Sequence, residues 1–595
     1  MFNKIKSLLW KRKYIFLFFG LFLIVLTQRF LNERQNGLVN SVSSDGLGYY
    51  CYLPAAIIYQ DFSYSFYHNK ENKIKPFYTP ALNPYKDKAL NKYYCGTSIC
   101  LLPFFLIGII ISAIAGTDIN GYTDTFLMLV TVAALFYYLL SVFLISKIGK
   151  FFSVPEKISV VTGLVFFFAT NLFHYTIQEP SMSHVYSFFA VTLFLYCFMR
   201  LVEDTTNKKL LILGLCFGLV ALIRPVNVVV VLFTPFFFNT ISEYFLFLKT
   251  LFVKHFKGVV LFLLANVLAV LLQFTFYYLQ TGDFYIVSYE GETFNFAHPE
   301  ILNVLFSYRK GLFIYVPILL AAIIFILVSK NNWYKKTIFF ISFSVFIYVT
   351  ASWWCWWYGG GLSIRPAIDF LPIFIIITMF FYSKLSVISK KVVLVLCLPF
   401  LFFSQLLAYQ YSNLLVDSSD MNKDKFWDVF LETDLATINN KKMERLLKNN
   451  LVLKTETLSF EDDLDSNVIA NIGYKSKKSC IVGHKNYYSR GFGLPIRDLN
   501  INDNFYVIAE CKAKTSKEAK DLGLAVSIDD NGPIIAWFVV FKNQFKEDEN
   551  GWVKMSIVTE VDKTFITGKS YLKIFANSDK GENFVDDIKY TIIKK

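Results

Sequence analysis

Apolar residues fill the first 410 positions in long blocks, most of them closed by lysines. The blocks lie near 14–28, 125–146, 158–173, 184–200, 210–223, 226–240, 258–280, 312–329, 337–352, 366–383 and 392–410. A helix needs roughly 20 apolar residues to cross about 30 Å of hydrocarbon. These blocks are too long and too evenly apolar to be barrel strands. The pattern predicts a multi-pass α-helical membrane protein with about eleven transmembrane helices.

One further apolar segment, 99–115, is assigned by charge. If it does not cross, the loops holding Lys147 and Lys150, Arg200 and Lys209, Lys254 and Lys257, Lys335 and Lys336, and Lys390 and Lys391 all fall on one side. Lysine and arginine favour the cytoplasmic side. The segment is therefore expected to be a re-entrant or surface helix within a long outer loop, 29–124. The N-terminus is then inside, and loop 281–311, the stretch 352–365 and everything after 410 lie outside. The first span follows Lys4, Lys6, Lys11, Arg12 and Lys13, and no small-residue cleavage site comes after it. It reads as an uncleaved anchor in the cytoplasmic (inner or plasma) membrane.

After 410 the pattern changes. Residues 411–450 read as a helical linker following the membrane domain, 1–410. From 451 to 595, short runs such as NFYVIAEC, LGLAVSI and IIAWFVVF alternate with Gly, Asn and Asp turns, which predicts an extracytoplasmic β-sandwich. The ending FVDDIKYTII resembles the last strand of jelly-roll carbohydrate-binding modules.

Composition adds little to this. Of 595 residues 55% are hydrophobic and 17% charged, and the net charge is +14. The excess cations sit in short loops between spans, where orientation needs them, so no nucleic-acid partner is expected. Membrane lipids surround the first 410 residues. The nine cysteines lack metal-ligand spacing. Cys51 with Cys95, or Cys480 with Cys511, have no pairing that sequence alone decides.

Several polar residues stand out against this background. Asp45, beside Gly46 and Gly48, taken alone reads first as a helix cap and second as a candidate general base. Asp61 is a second, weaker candidate. Glu179 lies between two spans, near His174 and His184. Arg224-Pro225 interrupts an apolar run, where a charge is costly and usually has a partner or ligand. Arg309-Lys310 and Arg365-Pro366 each precede a span. Together these cations fit a phosphate clamp, the alternative being snorkelling to lipid headgroups. Trp353, Trp354, Trp356, Trp357 and Tyr358 form an interfacial belt or a platform for a sugar ring or prenyl chain. Tyr49, His184 and Trp357 complete the candidate substrate-binding set. There is no Walker motif and no GxGxxG loop.

The segments DGLGYYCYLPA, GTSICLLPFFLIG, LIRP, RKGLFIYVP and WWYGGGLSIRPAIDFLP, in that order, resemble the GT-C class of glycosyltransferases. Within it, the similarity is to the protein O-mannosyltransferase and lipid A aminoarabinose transferase group. The resemblance covers roughly 14–410 and implies an inverting enzyme with a polyprenyl-phosphate-sugar donor and an extracytoplasmic acceptor. It implies Asp45 as base, assisted by Glu179, and Arg224 and Arg365 on the leaving phosphate. Gly46 departs from the group, which often has a second acid there. No metal ligands are recognised and no obligatory cofactor is expected, a divalent metal remaining open. A polyprenyl-linked glycan flippase and a membrane scaffold displaying a carbohydrate-binding domain are the competing readings.

Overall fold

The computed structural model describes residues 19–24, 41–461, 467–470, 472–499, 501, 503–515, 521–530 and 532–595. Most of the expected first span, and loop residues 29–40, lie outside the described residues. The chain divides into two compact units, Met1–Asn422 and Lys423–Lys595.

In the first unit, five described helices are long and apolar enough to cross a membrane: Gly96–Ala115, Asp124–Phe151, Ser183–Glu203, Phe256–Thr281 and Val387–Ser412. Pro317–Val328 and Ala367–Ser383 are shorter apolar helices. Phe256–Thr281 exposes Leu264, Val267, Leu268 and Leu271, while Val387–Ser412 exposes Val395, Leu396, Leu398 and Phe402. Each such side chain left in water forgoes roughly 1.5–3 kcal/mol, so these faces suit lipid.

Some blocks differ from their expected form. Gly96–Ala115 is one continuous helix with the length and composition of a span, whereas the charge argument left 99–115 uncrossed. Its exposed side carries Ile107, Ile110, Ile111 and Ile114, not the polar stripe of a surface helix. The block 226–240 is a 3₁₀ run, Pro225–Phe237, bent by 110° from the helix Ile241–Lys254, and the pair amounts to at most one span. The block 312–329 is split at Val316-Pro317 into Leu312–Tyr315 and Pro317–Val328. The proline restricts the residue before it, which breaks the helix there.

The second unit is a sandwich of two antiparallel sheets. One has the order Val553–Val561, Phe505–Thr515, Glu582–Lys594, Lys478–Gly483, Val468–Ala470, with Val452–Leu458 also paired to Glu582–Lys594. The other runs Phe492–Pro495, Ser570–Asn577, Gly523–Asp530, Ile534–Phe541. Alternate residues of both sheets fill one core, among them Val507, Ala509, Cys511, Val526, Ile528, Leu572 and Ile574. Within 411–450, helix Leu435–Asn449 packs on this sandwich. Asp434 caps it, accepting from the Thr437 amide at 3.0 Å, and Asn439 donates to the Ser556 carbonyl at 2.6 Å. No disulfide joins Cys51 to Cys95 or Cys480 to Cys511.

Candidate active site

Asp45 opens a six-residue helix, Asp45–Tyr50. The preceding Ser44 makes no side-chain cap bond, and the Asp45 carboxylate turns to distant partners. Tyr93 donates to its Oδ1 at 2.7 Å, and Arg365 Nη2 donates to its Oδ2 at 2.6 Å. The glycines beside Asp45 are helical and permit close approach. A Cβ on Gly46 would lie 2.0 Å from Ser181 Oγ, and one on Gly48 would lie 2.1 Å from the Tyr93 ring. Burial raises the Asp45 carboxyl, but Arg365 and the Tyr93 hydrogen bond outweigh it and hold it below the usual carboxylate range.

Arg224 closes helix Asn207–Ile223. Its φ and ψ of −152° and 111° are the extended pair that a following proline imposes. Its Nε lies 3.2 Å from Asp369 Oδ2, an ion pair that is out of line for a hydrogen bond. Asp369 sits in the first turn of Ala367–Ser383, the helix that Arg365-Pro366 introduces.

Asp45, Tyr49, Arg224 and Arg365 line one cavity of about 500 Å³. Lys92 and Glu292 join its wall as an ion pair at 2.5 Å. Aromatic side chains from three loops, Tyr93, Tyr289, Trp353, Trp354 and Tyr358, supply much of the rest. Two carboxylates, three cations and flat apolar surfaces thus share one space. That combination suits a ligand with an anionic group and a ring or chain beside it.

The other expected residues lie off the cavity wall. Glu179 pairs with His174 at 3.2 Å. Burial raises its carboxyl, but the hydrogen bond and charge of His174 together with the Arg365 charge outweigh that and lower it. His184 is buried behind Arg224, its Nε2 3.5 Å from Nη1. Arg309 stacks on Trp357, 3.8 Å from the ring centre, and donates to the Ser419 carbonyl. Lys310 is buried and donates to the carbonyls of Gly361 and Ser418. The structure therefore uses Arg309 and Lys310 to tie loops together instead of bringing them to the cavity. Asp61 accepts from Ser63 and Ser65 within its own turn. Among the described residues no His, Cys, Asp and Glu cluster fits a metal ion.

Tyr93, Lys92, Tyr289, Glu292 and Asp369 are among the site residues that sequence reasoning missed. Only Asp369 carried a signal, an acid inside an apolar helix.

No protein-family model and no curated relative matches the sequence. Among solved structures, the chain is similar to the arabinosyltransferase EmbB from Mycobacterium smegmatis, at 10% identity and a TM-score of 0.25, over 78% of this chain and 57% of that one. It is also similar to the CBM22-1 xylan-binding domain of Paenibacillus barcinonensis Xyn10C, at 20% identity and a TM-score of 0.18, over 24% of this chain and 97% of that domain. At such scores the functional reading comes from the chain's own residues.

Proposed function

We propose that the chain is a membrane glycosyltransferase that moves a sugar from a polyprenyl-phosphate donor to an extracytoplasmic glycan, lipid or protein acceptor. The observation that carries this reading is one carboxylate and two guanidiniums, Asp45, Arg224 and Arg365, on the wall of a single aromatic-lined cavity. In the resting protein Asp45 is tied to Arg365. A donor phosphate entering the cavity competes for Arg365 and frees the carboxylate. Without its countercharge the carboxylate becomes more basic.

An acceptor hydroxyl beside Asp45 then gives up its proton to the carboxylate as its oxygen bonds to the anomeric carbon. The bond from that carbon to the phosphate oxygen breaks on the opposite face, and the electron pair leaves with the phosphate, giving inversion. Arg224 and Arg365 meet the charge that develops on the leaving group. The aromatic wall gives the sugar ring or the first prenyl units a surface to lie on. Lys4, Lys6, Lys11, Arg12 and Lys13 before the first apolar block support an N-terminus inside, with the loop that carries Asp45 outside. The sandwich is assigned to acceptor recognition, supported by the row Tyr488, Phe575 and Trp537, with successive ring centres 5.5 Å apart on the outside of its smaller sheet.

The test is a panel of radiolabelled prenyl-phosphate sugars offered to the reconstituted protein. Label released from at least one lipid and recovered on an acceptor supports the reading. No release from any donor by well-folded protein overturns it.

A further inference from the structure

The cavity is reached by two arginine–carboxylate pairs of different character. Asp45 and Arg365 both line it, and the Asp45 side chain keeps 30% of its surface exposed. Arg224 lines it too, but the Asp369 side chain behind it is only 2% exposed and takes no part in the proposed chemistry. Asp369 Oδ1 lies 3.0 Å from His184 Nδ1, Asp369 Oδ2 lies 3.2 Å from Arg224 Nε, and Arg224 Nη1 lies 3.5 Å from His184 Nε2. The three side chains form a closed ring.

Its protonation follows from donor counting. A guanidinium has only donors, so His184 Nε2 faces it as an acceptor. Nδ1 then carries the hydrogen and donates to Asp369, and the imidazole is neutral. Asp369, in the first turn of its helix, faces the Arg224 guanidinium as its counter-ion. The ring therefore holds one anion and one cation, the arrangement in which buried charges are tolerated.

An anion arriving in the cavity meets these pairs differently. It can take Arg365 from Asp45, because Asp45 sits at the cavity surface and gains an acceptor hydroxyl in exchange. It cannot displace Asp369, which has neither space nor solvent to move into. We infer that Asp369, steadied by His184, is a positioning residue that fixes Arg224 as the stationary cation for the donor's phosphate, while the Arg365–Asp45 pair is the one that exchanges. The inference rests on the functional reading above in taking the anion to be a prenyl phosphate.

The test uses the full chain in nanodiscs of uncharged lipid, with farnesyl phosphate as probe. Binding is read by quenching of tryptophan fluorescence, since Trp353 and Trp354 line the same cavity. Donor KM and kcat are measured beside it. Asp369→Asn is expected to weaken farnesyl phosphate binding and raise donor KM about tenfold, close to 1.4 kcal/mol, with a much smaller change in kcat. Asp369→Glu recovers part of the loss, and His184→Ala falls between Asp369→Asn and wild type. Wild-type or tighter binding by Asp369→Asn overturns the inference and leaves the glycosyltransferase reading standing. So does a loss that Asp369→Glu does not rescue and that tracks a lowered melting temperature, because that marks a merely structural pair. If the wild type neither binds farnesyl phosphate nor turns over a donor, both readings fall together.

Discussion

Tyr93→Phe removes one hydroxyl and leaves the ring. The ring stays packed against Tyr49 and Tyr289, with centres 4.8 and 6.4 Å away. What is lost is the 2.7 Å bond to Asp45 Oδ1, while the 2.6 Å contact with Arg365 remains. A hydrogen bond to a charged group contributes about 1.5–3 kcal/mol. The exposed part of the Asp45 side chain lets water replace some of that, so the lower end applies. At 1.36 kcal/mol per unit, the Asp45 carboxyl rises by about one pH unit. The sign is fixed, because the bond stabilises the carboxylate and its removal favours the protonated acid. In kcat/KM, which reports the free enzyme, the acid limb is where the base becomes protonated. That limb is expected to move up by about one unit in Tyr93→Phe, with little change at neutral pH. A limb that does not move, or moves down, in a protein that still binds donor refutes Asp45 as the titrating base.

Other consequences follow from packing and charge. A Cβ on Gly96 would lie 2.4 Å from the backbone of Leu222 and Ile223, just before Arg224. Backbone cannot swing aside, so Gly96→Ala is expected to cost about 1–3 kcal/mol, read as a lower melting temperature, and a wild-type melt contradicts the packing. Burial, with Arg365 adding to it, pushes the Lys310 amine down to about 7. The unfolded chain then holds a proton the folded chain has released between about 7 and 10, so stability rises with pH across that window. Lys310→Met is expected to flatten that rise in pH-dependent melting curves, and an unchanged slope contradicts it. Trp537→Ala is expected to raise KM for a glycan acceptor several-fold and leave donor KM alone, since it removes a large half-exposed ring face on which the apolar face of a sugar would be buried. Equal acceptor kinetics would remove the sandwich from acceptor recognition.

Much of the fold was written into the periodicity. Uniform apolar blocks became helices, and period-two runs became two sheets, because burial of one face dictates each pattern. The departures sit where local backbone chemistry overrides hydropathy. The block 226–240 became a 3₁₀ run bent from the helix after it, and Val316-Pro317 broke a block that read as a plain span. Gly96–Ala115 is apolar enough to cross, while the lysine pattern of the loops argued against it, and hydropathy and charge do not have to agree.

At the site, Asp45, Tyr49, Arg224 and Arg365 were legible as polar groups at the ends of apolar runs. Tyr93 was not, being one tyrosine of 36 and 48 positions from Asp45. Lys92 and Glu292 meet only because two segments 200 positions apart fold together. Arg309 and Lys310 read as clamp residues because sequence gives their charge and not their direction. In the fold their donors are taken by main-chain carbonyls.

The central claim is that Asp45 takes the acceptor's proton in a sugar transfer from lipid phosphate. It is tested most directly by single-turnover transfer of labelled sugar from prenyl-phosphate donor, comparing wild type with Asp45→Asn, which keeps the shape of the side chain. Donor binding and melting are measured on the same preparations. The account predicts that the variant binds donor and melts near wild type, yet transfers sugar at least about 100-fold more slowly, the scale on which a general base contributes. Transfer at the wild-type rate by Asp45→Asn would contradict it.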